Sequence, residues 1–149
     1  MPAGILIVEP DPKTARDLFG VFQSEPKRYK TEIAESVTEA IEKNRDTTFD
    51  CVILDAELPE MTGYEAISLM KTINSDPAII LTASQNNIEL ETKAREQNIA
   101  YYHIRSADAD ELKSAVHNIL DKSEKAAKKR QPDKGAGKLV SLKRLGTRC

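Results

Sequence analysis

The chain has no tryptophan, and aromatic residues make up only 5% of its 149 residues. It has two cysteines, Cys51 and Cys149, too few for a disulfide framework. Cys51 opens an apolar run and reads as a buried free thiol, so a reducing cytoplasm is the expected location. No apolar stretch approaches the roughly 20 residues of a membrane span. No basic segment followed by an apolar run stands near the start, so secretion is not expected either. His103 and His117 have no Cys or His partners at metal-ligand spacing and read as surface residues.

What is present is unevenly spread. Hydrophobic residues make up 40% and charged residues 31%, as in a soluble globular protein. The formal net charge is −2, yet residues 121–149 hold ten Lys or Arg against three acids, a balance of +7. Residues 1–120 therefore carry −9. The chain reads as an acidic domain over 1–121 and a basic tail over 122–149. Good helix formers extend to about Arg130. Pro132, Gly135 and Gly137 then end the helix and leave a disordered remainder. The tail has no aromatic residue, so base stacking on nucleic acid is unsupported.

The body alternates between two periods. Short apolar runs stand at 5–8, 52–54, 78–81 and 101–104, with a weaker one at 31–34. Between them lie helical spacings: Ala15, Leu18, Phe19 and Phe22; Val37, Ala40 and Ile41; Ala66, Ile67, Met70 and Ile73; Leu112, Ala115, Val116, Ile119 and Leu120. Five strands alternating with five helices predict a five-stranded parallel sheet covered on both faces. The fourth helix, within 86–98, has only Ile88, Leu90 and Ala94 to pack and should be held most loosely. Asp11-Pro12 reads as an N-cap followed by the first position of a helix.

Open α/β sheets carry their functional groups at the carboxyl ends of the strands. Those ends supply Glu9, Pro10 and Asp11; Asp55 and Glu57; Thr82 and Ala83; Tyr102 and Arg105. Two or three acids, a hydroxyl and a cation on one edge could hold a hard divalent cation together with a phosphoryl group.

In that order and spacing, including Pro59 and Gly63 in "VILDAELPEMTG", residues 1 to about 121 resemble the receiver domain of two-component response regulators. The resemblance implies a flavodoxin-like (βα)5 fold, a three-layer α/β sandwich. It implies Asp55 as the acceptor of a phosphoryl group from a histidine kinase or phosphotransfer protein. It implies Thr82 as the switch hydroxyl, Tyr102 as the switch aromatic, and Arg105 at the place of the family's lysine. Glu9, Asp55 and Glu57 are the implied metal set for Mg²⁺. The implied partner face, also the face for homodimers, is formed by the fourth helix, fifth strand and fifth helix. Nucleic acid and membrane are not expected partners.

The departures shape the expected function. The family ends its first strand with two adjacent acids, whereas Pro10 takes the place of the second and has no ligand atom. Mg²⁺ binding should therefore be weak or absent, unless Glu57 replaces the lost ligand. The family's Lys-Pro is Arg105-Ser106, and a cis bond before serine would cost about 2.5–4 kcal/mol, so this bond should be trans. Arg105 could also pair permanently with Asp55 or Glu9. The expected function is a single-domain, response-regulator-like signalling protein, not an enzyme, with impaired or altered phosphoryl acceptance at Asp55. The alternatives are a phosphorylation-independent docking module and, more remotely, a small metal-dependent phosphohydrolase.

Overall fold

The computed structural model describes residues 3–71, 77–85, 87–105 and 109–130, apart from the side chains of 64 and 123–130. Strands and helices alternate throughout: β1 (Ala3–Val8), α1 (Pro12–Gln23), β2 (Tyr29–Ala34), α2 (Val37–Asp46), β3 (Cys51–Asp55), α3 (Gly63–Lys71), β4 (Ala78–Ala83), α4 (Ile88–Arg95), β5 (Tyr101–Ile104) and α5 (Ala109–Arg130). All strand pairs are parallel, in the order β2-β1-β3-β4-β5. The expected parallel sheet is present, and its edges are β2 and β5.

Period-two alternation divides the apolar side chains between two cores. Leu6, Val8, Val52, Leu54, Ile79 and Leu81 meet α2, α3 and α4. Ile5, Ile7, Cys51, Ile53 and Ile80 meet Leu18 and Phe22 of α1 and Leu112 and Val116 of α5. Burial on both faces is why β3 and β4 read as unbroken apolar runs. The Cys51 thiol is fully buried, and burial pushes its pKa up to about 12, so it is inert.

Local chemistry sets the helix starts. Asp11 caps α1, its carboxylate accepting from the Thr14 backbone N–H at 3.0 Å and the Thr14 hydroxyl at 2.6 Å, with Pro12 in the first turn. Thr62 and Glu65 form a reciprocal capping box at α3. At its first residue, Gly63 passes so close to the β3 exit that a Cβ would stand 2.7 Å from the Ala56 Cα. Only glycine lets α3 begin there.

Helix α4 is shorter than the 86–98 segment and buries only Ala94, with Leu90 half-buried and Ile88 76% exposed. The thin stripe expected from sequence is thinner still. Helix α5 runs to Arg130 as the composition suggested. Expectations for 131–149 and for the Arg105–Ser106 bond lie outside the described residues. No helix among the described residues is long and apolar enough to cross a membrane.

Candidate functional site

Parallel strands in register present like side chains at one level. Asp55 pairs with Thr82 and Thr82 with His103, and Glu9 stands one residue beyond the Val8–Leu54 pair. Parity places all four on the face that carries Ile7, Ile53 and Ile80. A polar row thus crosses β1, β3, β4 and β5 at the carboxyl edge of the sheet. Every member is at least 95% buried: Glu9 is 3% exposed, Asp55 4%, Thr82 1% and His103 3%.

Arg105, two residues beyond His103, reaches back over this row. Its backbone N–H donates to the Ala83 carbonyl at 2.8 Å, which fixes the start of the side chain. Its Nη1 donates to Asp55 Oδ1 at 2.9 Å and, at 3.4 Å, to Thr82 Oγ1. The same nitrogen lies 3.8 Å from Glu9 Oε1. One guanidinium therefore serves two buried carboxylates. Glu9 Oε2 accepts from the Asp11 backbone N–H at 3.1 Å, while Oε1 has no hydrogen-bond partner. Burial first, and the nearby Asp55 carboxylate second among the raising causes, push the Glu9 pKa up to about 7; the Asp11 N–H and Arg105 pull against them.

Glu57 and Tyr102 do not join the row. The Glu57 backbone N–H donates to Asp55 Oδ1 at 3.3 Å, but its exposed carboxylate accepts from the Ser84 hydroxyl at 3.1 Å. Tyr102 has the opposite parity and belongs to the core shared with α4, where burial pushes its phenol pKa up. His103 corrects the sequence reading: it is buried, not a surface residue. Its parity with Arg105 inside an apolar run was the signal that could have placed it. Burial pushes its pKa down, Glu111 pulls it up, and Arg105 pushes it further down. His117 is half-buried, in contact with Arg28 and 3.7 Å from Asp121.

The family profile of the response regulator receiver domain matches residues 5–117. The chain belongs to the response regulator receiver family. The receiver is 26% identical over 92 residues to the transcriptional regulatory protein ZraR of Klebsiella oxytoca, covering 62% of this chain and 21% of that protein. It is 28% identical over 87 residues to the regulatory protein LuxO of Vibrio vulnificus (strain YJ016), covering 58% and 19%. The chain thus spans about a fifth of the length of these curated relatives. Among solved structures it resembles a CheY-like receiver domain protein from Methanospirillum hungatei JF-1. The TM-score is 0.77 and the identity 21%, over 85% of this chain and 99% of that one. This is the flavodoxin-like fold that the sequence resemblance implied.

Receiver domains generally bind Mg²⁺ at their acidic pocket, and the receiver's own residues can be tested against that ion. Among the described residues Glu9 and Asp55 are the two carboxylates within the pocket, and Glu9 Oε1 is free of hydrogen bonds. Pro10 offers no side-chain donor, and Glu57 is turned to Ser84. Among the described residues no three His, Cys, Asp or Glu side chains converge on a point. The region that faces both carboxylates holds a guanidinium. In this arrangement the residues do not fit a divalent cation.

Proposed function

We propose that the chain is an atypical receiver, a signalling module in which phosphoryl acceptance at Asp55 is impaired and output passes through protein contacts. The observation that carries this reading is the 2.9 Å bond from Arg105 Nη1 to Asp55 Oδ1. A nucleophilic carboxylate needs a free lone pair directed at phosphorus, and one of the two Asp55 oxygens is already engaged by the Arg105 guanidinium. In the accepting step an Asp55 oxygen would attack the phosphorus of a phosphohistidine. The P–N bond breaks, an acyl phosphate forms, and the departing imidazole takes up a proton. Thr82 and Arg105 are then the groups placed to donate hydrogen bonds to the transferred oxygens. Tyr102, on the opposite face of β5, is the proposed switch aromatic. A histidine kinase or phosphotransfer protein is the proposed donor, and α4, β5 and α5 form the proposed face for a protein partner or a second copy. The proposed receiver body reaches residue 121, with the basic segment 122–149 after it.

Acetyl phosphate with Mg²⁺, followed by intact mass, tests the acceptor. A minor adduct is expected in the wild type and none in Asp55→Asn. An adduct that survives Asp55→Asn removes Asp55 as acceptor, and rapid stoichiometric modification of the wild type removes the impairment. The same Arg105 contact also favours a second reading, a docking module independent of phosphorylation. No adduct at all, with partner binding unchanged in Asp55→Asn, would select it. No third acid beside Glu9 and Asp55 favours the hydrolase reading among the described residues.

A further inference from the structure

Among the described residues, the acid pocket holds two carboxylates, one of which has an oxygen with no hydrogen bond, and a single cation belonging to the chain itself. We infer that Arg105 is a resident counter-ion of Glu9 and Asp55, and that a divalent cation and the Arg105 side chain occupy this pocket in mutual exclusion. The inference rests on reading the pocket as that of a receiver and adds the device that governs its access to metal.

A hard cation bound to both acids would lie within roughly 2.0–2.6 Å of an oxygen of each. Arg105 Nη1 already stands 2.9 Å from Asp55 Oδ1 and 3.8 Å from Glu9 Oε1. A metal at the same oxygens would face a like charge almost at contact, in a pocket whose carboxylates are at least 95% buried. Water cannot screen that repulsion well. A proton cannot relieve it either, because a guanidinium stays charged at any pH the protein survives.

The side chain is anchored but has somewhere to go. It is 24% exposed and held by Asp55 and Thr82. It also lines a cleft of about 270 Å³ between α1 and α5, with Thr14 and Asp17 on the α1 wall. A displaced guanidinium could therefore exchange the buried acids for the outer, exposed Asp17 carboxylate, which now pairs with Lys13 at 3.1 Å. That gives the pocket two discrete states: guanidinium in, or metal in with the guanidinium turned outward. Pro10 weights the balance, since the metal state has lost the acid that a second aspartate would provide. Restoring that acid should therefore help little while Arg105 remains.

Titration with Mn²⁺ alone, without a phosphodonor, tests this on the full chain, read by Mn²⁺ electron spin resonance and by calorimetry. Arg105→Gln should bind Mn²⁺ at least about tenfold more tightly than the wild type, the scale on which groups around a metal tune its affinity. Pro10→Asp should gain clearly more in the Arg105→Gln background than alone. Unchanged affinity in a folded Arg105→Gln variant, or equal gains from Pro10→Asp in both backgrounds, would overturn mutual exclusion. Should Arg105→Gln fail to fold, wild-type NMR decides. Added Mg²⁺ should shift the Arg105 Nε–H resonance in step with occupancy, and an Arg105 signal unmoved at saturation would sink the proposal. These outcomes are independent of the acetyl phosphate result, which tests the receiver reading itself.

Discussion

At the scale of the residue, the unusual member of the site is Glu9. Its pKa is raised from 4.5 to about 7, mainly by burial. A raised carboxyl means that the folded state binds the proton more tightly than the unfolded chain does. The stability contributed by Glu9 is therefore complete below about 4.5 and is lost as pH rises toward 7. Above that range the ionised, half-satisfied Glu9 costs on the order of 1–3 kcal/mol. Glu9→Gln should accordingly raise the melting temperature at about pH 8, and the two curves should converge near pH 4.5. Thermal melts across that range check this. A difference that does not vary with pH would mean that folding leaves the Glu9 pKa where it stands in the unfolded chain. His103 works in the opposite sense: its lowered pKa favours the folded state above the ordinary histidine range and subtracts stability on acidification.

At the scale of the element, the turn from β3 to α3 is the most constrained connection at the site. Thr62 bridges back to Glu57, Gly63 donates its N–H to the Ala56 carbonyl at 2.9 Å, and the capping box then starts α3. Since a Cβ at Gly63 would meet the Ala56 Cα at 2.7 Å and a Leu81 methyl at 2.9 Å, the backbone itself would have to move. Gly63→Ala should destabilise the fold by about 1–3 kcal/mol, the usual cost of overpacking. Because the shift falls next to Asp55, it should also disturb the Asp55 and Glu57 amide signals. Urea unfolding and an amide correlation spectrum together test this, and wild-type stability in Gly63→Ala would contradict the close approach. Helix α4 is the opposite case. It has good caps, with Asn87 accepting from the Leu90 N–H at 3.0 Å, but only one fully buried side chain. Little apolar area therefore holds it to the sheet.

At the scale of the whole molecule, charge and core are separated along the chain. Among the described side chains of α5, the apolar contacts come from Leu112, Val116, Ile119 and Leu120. The net positive charge lies almost entirely after residue 121. Removing 122–149 should therefore change the melting temperature by no more than about 2 °C, the scale of a fraction of a kcal/mol in a domain this size. It should weaken association with acidic protein surfaces chiefly at low salt, where charges are screened least. A truncated chain that unfolds would show that the basic segment belongs to the core.

The alternation of periods two and 3.6 was enough to reveal the βα order, the two-sided burial of β3 and β4, and the cap at Asp11. These depend on neighbours a few residues apart, and a linear pattern records them. Strand ends made Glu9, Asp55, Thr82 and Arg105 legible for the same reason. The pairing of these groups was not decided at that level. Arg105 meets Asp55 across 50 residues because the order β2-β1-β3-β4-β5 puts β4 between their strands and aligns Asp55, Thr82 and His103. His103 is buried because that row faces α1 and α5. Glu57 turns outward, where the Ser84 hydroxyl of the neighbouring loop donates to its carboxylate. Residue type and local period are written in the chain. Which charge neutralises which is a property of distances through space, and these exist only once the sheet has closed.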